Sequence, residues 1–168
     1  MKETLEILVQ IAQILGPLVG LFGAWLAYKQ YLERHTVETY EKLDASYVAF
    51  LKFCFENPDL DIFEIPDKSP SPRDEKLKHR EFIAFSILIK LFERAYLMFN
   101  HPPAINKRLE RFQELKRNQW DNGWHLYIKE YCERKNFKEA WPIIGKQFDE
   151  SFLKYMHDKN GLRDLSEN

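Results

Sequence analysis

Arg94 and His101 are the two side chains whose types and spacing come closest to a reactive constellation in this chain. Seven residues make almost two turns of an α-helix, so both would leave one face about 10 Å apart. A second pair, Arg73 and His79, has a similar separation but begins in a proline-rich stretch. With 9 Arg and 5 His in 168 residues, chance alone supplies roughly one such pair. The structural alternative is that Arg94 pairs with Glu93 or Glu110 and that His101 caps a helix end. No phosphate-cradling glycine loop, nucleophile elbow or Cys/His metal spacing is present, and no cofactor is implied.

The spacing R-x(4–6)-H resembles that of the HEPN ribonucleases, which are small helical bundles acting on RNA as dimers. The resemblance implies proton transfer by His101 and stabilisation of phosphate charge by Arg94. Ala95 follows Arg94 where that family usually carries a polar residue.

The elements that would position these groups begin with a 22-residue run, Ile7 to Tyr28, that contains no Asp, Glu, Lys or Arg. As a helix it would reach roughly 33 Å, enough to cross the hydrocarbon core of a bilayer. Its two sides differ. Gln10, Gln13, Gly16, Pro17, Gly20, Ala24 and Ala27 fall within about 60° of one line, and Val9 is the only large apolar residue among them. Ile7, Leu8, Ile11, Ile14, Leu15, Leu18, Phe22, Trp25 and Leu26 take the remaining surface. Gly16 and Gly20 form a GxxxG spacing that allows close helix approach, and a carboxamide in hydrocarbon needs a partner. Two readings of the stripe stay open: an anchor that pairs with another helix, or a ring of helices with these positions lining a pore. About eight helices, each ~10 Å wide, would leave a lumen of roughly 15 Å. Pro17 removes a backbone donor, and either bends the helix or is satisfied by neighbours.

A cleaved signal would want a net-basic start and a small-x-small site; the chain opens Met1-Lys2-Glu3 and has no convincing site of that kind. An in-plane helix would want one strongly charged face, which the run lacks. Lys29, Arg34 and Lys42 come after the run and only Lys2 precedes it, so a single pass with a cytoplasmic carboxyl side is expected. Two cysteines, Cys54 and Cys132, suit a reducing compartment.

The remaining residues, of near-neutral charge and 15% aromatic content overall, fit one folded domain and not a strongly basic nucleic-acid binder. Apolar spacing from Lys29 to Glu56 (Leu32, Val37, Tyr40, Leu43, Tyr47, Phe50, Leu51, Cys54) continues the first helix without a break. Residues 57–73 hold Pro58, Pro66, Pro70 and Pro72 and read as a loop, with 59–65 packed extended on the domain. Phe82 to Phe99 is apolar nearly all round, but Lys90, Glu93 and Arg94 interrupt it, so a buried central helix is expected there and not a second span. Further helices are predicted over 105–117, with Leu109, Phe112 and Leu115 inward, and across a bend at Asn122-Gly123 through Trp120, Trp124, Tyr127, Ile128 and Tyr131. A last helix is predicted from an Asn136 cap through Phe137, Trp141, Ile144, Phe148, Phe152 and Tyr155, stopped by Asn160-Gly161. Residues 161–168 read as a frayed tail. Lys107 to Arg117 carries five basic and two acidic residues, suited to phosphate or anionic lipid, or simply to solvent. His125 and His157 have no partner in sequence. No segment alternates with period two for long enough to form a sheet. The chain therefore reads as all-α: an N-terminal transmembrane helix (1–28) whose continuation (29–56) enters a bundle of four or five helices, the remaining ones over 74–160.

An N-terminal span, a short helical domain and a divergent Arg94/His101 pair together resemble the small membrane accessory proteins of type VI-B CRISPR systems. The resemblance implies a HEPN-like bundle in the bacterial inner membrane. It also implies a homo-oligomeric ring that permeabilises the membrane and enhances antiphage defence by an RNA-guided, RNA-cleaving effector. Under it the chain cuts RNA poorly or not at all. A membrane-tethered ribonuclease and an anchor without a channel are the alternatives.

Overall fold

The computed structural model describes residues 2–63, 75–102 and 110–162; in α1 the side chains of residues 2–12 and 14, and in α3 that of Arg111, are not among those described. All regular structure among these residues is helical. The helices are α1 (Lys2–Glu56), α2 (Glu75–Asn100), α3 (Glu110–Leu115), a π-helical stretch (Lys116–Trp124), α4 (His125–Glu133), α5 (Lys135–Ile144), a 3₁₀ turn (Gly145–Gln147) and α6 (Glu150–Asn160). By internal contact the chain divides into two units, residues 1–39 and 40–168.

The first unit is the leading part of α1, which continues through Pro17. From Leu15 to Tyr31 every side chain is exposed. Among the described residues, no helix is long and apolar enough to cross a membrane. The side chains of Ile7–Ala12 and Ile14, which belong to the apolar run, lie outside the described residues.

The second unit is built around α2. Ala84, Leu88, Ile89, Phe92, Ala95 and Phe99 on this helix are fully buried. Aromatic rings do most of the filling. Phe85 meets Phe137 edge-on at 5.7 Å, Phe92 meets Tyr131 at 5.5 Å, and Trp141 meets Phe152 at 6.4 Å. Such edge-to-face pairs add about 0.5–1.5 kcal/mol beyond the area they bury. The last part of α1 joins through Tyr40, which packs on Phe99 and donates to Gln119 Oε1 at 2.7 Å, and through Tyr47, whose ring meets Trp124 at 5.1 Å.

Residues 57–63 fold back on the bundle with Leu60 and Ile62 buried. Buried backbone of this kind needs partners, and three side chains provide them: Glu81 accepts from the Asp61 N–H, Arg134 donates to the Ile62 carbonyl, and Asn136 donates to the Asp61 carbonyl. Arg80 ties the same segment through its side chains, donating to Asn57 Oδ1 and Asp59 Oδ2 at 2.7 Å. The Arg134 guanidinium also lies 4.0 Å from the Tyr131 ring centre. The expected loop from 64 to 73 lies outside the described residues.

Two local expectations are corrected. Asn136 does not cap its helix: α5 starts two residues earlier than such a cap would place it, Arg134 holds the N-cap position without a side-chain bond, and the Asn136 amide goes to Asp61 instead. The chain from 136 to 155 is not one helix. It breaks after Ile144, and Asp149 caps α6 by accepting from the Ser151 and Phe152 N–H groups. Across Asn122-Gly123 the helical spacing is kept, as expected, by a π-helical stretch that runs into α4 and carries Trp120 and Trp124 into the core. The Asn160-Gly161 stop does form, with Gly161 at φ 65° in the left-handed region and its N–H on the His157 carbonyl. Of the predicted helix over 105–117, residues 110–115 form α3 and Phe112 is buried, whereas 103–109, including Leu109, lie outside the described residues. The tail beyond Leu162 does so too.

Phe92→Ala should lower unfolding stability by about 3–5 kcal/mol, whereas Leu126→Ala, at a half-exposed position, should stay within about 0.5 kcal/mol. Thermal melts of the full-length protein in detergent, followed by circular dichroism, measure the difference.

Candidate functional site

Arg94 sits on the outer face of α2 and is exposed; among the described residues it makes no hydrogen bond or ion pair. Its expected partner Glu93 is turned inward at 4% exposure, where it pairs with Lys90 and accepts from the Asp149 N–H at 2.7 Å. A buried carboxylate requires such donors, so Glu93 is committed to holding the start of α6. Arg94 stays outside. Glu110 is exposed.

His101 lies one residue past the end of α2, and its backbone N–H closes the last turn on the Leu97 carbonyl at 2.9 Å. Its ring turns to Tyr96: Nε2 lies 3.3 Å from the phenol oxygen and the ring centres are 5.4 Å apart. Tyr96 stacks on Tyr155 at 4.7 Å, and the Tyr155 hydroxyl lies 2.7 Å from His125 Nδ1. Two imidazole–phenol pairs thus sit back to back between the ends of α2, α4 and α6, with Trp120 packed against Tyr96, Tyr155 and His125. Burial raises the pKa of both phenols, that of Tyr155 to about 12, so both stay protonated near neutrality. The Asp149 carboxyl is held below its usual range, first by the Ser151 hydroxyl, with the His101 charge a smaller contribution.

The cluster can orient an imidazole and exchange protons with solvent. Among the described residues no hydrogen bond, ion pair or ring contact joins Arg94 to His101. Sequence reading gave His125 no role because its partner, Tyr155, lies 30 residues away on another helix. His157 contacts Asp158. Arg73 lies outside the described residues, so the second Arg/His pair has no geometry here. The same holds for Lys107 to Leu109 of the basic segment, of which Arg117 is exposed.

Neither thiol is a nucleophile at neutral pH. Burial pushes Cys54 up to about 11 and Cys132 up to about 12, and the thiolate is the reactive form. Among the described residues no three His, Cys, Asp or Glu side chains gather as a metal site.

The stripe on α1 is the other candidate. Gln13, Gly16, Pro17, Gly20, Ala24 and Ala27 are all exposed, and the Gln10 side chain lies outside the described residues. A Cβ added at Gly16 or Gly20 would meet nothing within 4 Å. Around the stripe Leu18, Leu21, Phe22 and Trp25 are 56%, 68%, 60% and 57% exposed. No protein-family model, curated protein or solved structure matches this chain.

The raised folded-state pKa values of Cys54, Cys132 and Tyr155 give an alkaline prediction. An unfolded thiol releases its proton near pH 9 and an unfolded phenol near pH 10. The stabilisation is complete below those values and is lost as pH rises toward 11 and 12. The melting temperature should be level from pH 7 to about 9 and fall steadily from there to pH 12. A level profile to pH 12 would contradict these burials.

Proposed function

We propose that this protein is anchored in a membrane by α1 and assembles there with its own copies into a ring-shaped pore. The observation that carries the proposal is the bare surface of α1. Leu15, Leu18, Val19, Leu21, Phe22, Trp25 and Leu26 are all exposed, by 38% to 68%. Leaving seven such side chains in water costs on the order of 10 kcal/mol. Acyl chains remove that cost on the bulky side of the helix. They do nothing for Gln13 or for the slim front at Gly16, Gly20, Ala24 and Ala27, which gains only from close backbone approach or from a wet lumen.

The wider role rests on the resemblance to the type VI-B CRISPR accessory proteins. Permeabilisation of the inner membrane, with the second unit on the cytoplasmic side, enhances antiphage defence by an RNA-guided RNA-cleaving effector. The ribonuclease alternative rests on the spacing of Arg94 and His101 alone, and the His101 ring lies against the Tyr96 hydroxyl.

Gly16→Leu and Gly20→Leu meet no obstacle within the chain itself, so they act only on whatever covers the stripe. Each should abolish dye release from liposomes by the purified full-length protein while helicity and melting temperature hold. His101→Ala should leave dye release intact. Release undiminished in both glycine variants would refute the pore, and RNA cleavage that disappears with His101→Ala would favour the ribonuclease.

A further inference from the structure

Two apolar patches lie on the surface of the second unit outside its core, and they carry opposite charge. On α2, Ile83, Ile87, Lys90 and Arg94 fall within about 60° of one line, roughly half a turn from Leu88, Phe92 and Phe99. Ile83 is 49% and Ile87 44% exposed. Lys90 is engaged by Glu93, whereas Arg94 has no partner among the described residues. On α1, Asp44, Val48, Leu51 and Phe55 share a line roughly a third of a turn from that of Leu43, Phe50 and Cys54. Phe55 is the most exposed large apolar side chain described, at 85%, and Val48 is 56% exposed. Asp44 is exposed and pairs with no cation among the described residues.

The heights of the two patches match. Within this unit α2 runs antiparallel to the end of α1, for Phe99 packs at Tyr40 and Arg80 bonds Asn57 at the other end. Arg94 lies five residues from Phe99 and Asp44 four from Tyr40, about 7 and 6 Å along their axes. Ile83 lies three residues from Arg80 and Phe55 two from Asn57, about 4 and 3 Å. A copy related by rotation about an axis parallel to these helices keeps those heights.

We infer that the α2 face of one copy seats on the α1 face of the next, Arg94 against Asp44 and Ile83 against Phe55. The two surfaces differ, so the contact is head-to-tail and a rotation that closes makes a ring. A second copy is the occupant that fits both faces at once. RNA phosphates match Arg94 but not the isoleucines or Asp44, and an anionic lipid surface would leave the Asp44–Phe55 patch bare. The inference rests on the self-assembly proposed above and names the surface that holds the ring together outside the membrane.

The test is the mass in detergent, by light scattering, of full-length wild type, Arg94→Glu, Asp44→Arg and the double variant. Circular dichroism melts serve as the control for folding, and Ile83→Asp is a second, uncharged-partner probe of the same face. Each charge reversal places like charges together and should raise the concentration needed for assembly roughly 100-fold. The double variant should assemble as wild type does. Folded single variants of full ring mass, or a double variant no better than the singles, would overturn the contact while leaving self-assembly through α1 standing. A wild type of monomer mass would overturn both. Loss of assembly in Arg94→Glu that Asp44→Arg does not repair, with RNA bound by wild type alone, would assign Arg94 to nucleic acid.

Discussion

An exposed apolar helix surface is the constraint on which the rest of this molecule depends. From Leu15 to Leu26 α1 presents exposed leucine, valine, phenylalanine and tryptophan. The hydrophobic effect scales with area removed from water and has no direction. It demands a cover for this surface without saying which. Direction comes from the other side of the helix, where glycine, alanine and glutamine replace bulk. A surface of that kind gains little from lipid and much from another backbone. The proposed anchoring and self-association are thus two consequences of one asymmetric helix.

The second unit meets a different requirement, a core filled mainly by rings. Phe85, Phe92, Phe99, Phe137, Trp141 and Phe152 are almost completely buried and meet largely at steep angles. Polar side chains then tie the periphery to this centre. Glu93 holds the backbone at the start of α6, and Arg80, Glu81, Arg134 and Asn136 hold residues 57–63. Losing one partner of such a buried bond costs more than the bond contributes, since the other is left desolvated and unmatched. The unit is therefore expected to unfold as one body and not by peeling at that segment.

Helix content was legible because it is periodic. Leu43, Phe50 and Cys54 recur at helical steps and are buried, and the inward face of α2 keeps closely to its pattern. What the residues did not reveal is set by contacts far apart in sequence. Asn136 looks like a cap until the Asp61 carbonyl, 75 residues away, takes its amide. The break after Ile144 had a local sign in Gly145 and in Asp149 before Glu150 and Ser151, outweighed by the aromatic spacing that runs across it. At the candidate site, the end of α2 before His101-Pro102-Pro103 had a local sign in the two prolines. The turn of the His101 ring toward Tyr96 had none. The His125–Tyr155 contact joins two helices and has no local sign at all.

The most direct test of the asymmetric helix is the surroundings of its two sides in a bilayer. Spin labels attached to single cysteines at Leu18 and Phe22, and at Gln10 and Gln13, can be read for collision with oxygen dissolved in the lipid and with a water-soluble reagent. The buried native thiols, raised to about 11 and 12, are poor competitors for the label. Labels at Leu18 and Phe22 should collide with oxygen, and those at Gln10 and Gln13 should be shielded from lipid. Four positions equally open to water, in a protein that remains dispersed without detergent, would contradict the account.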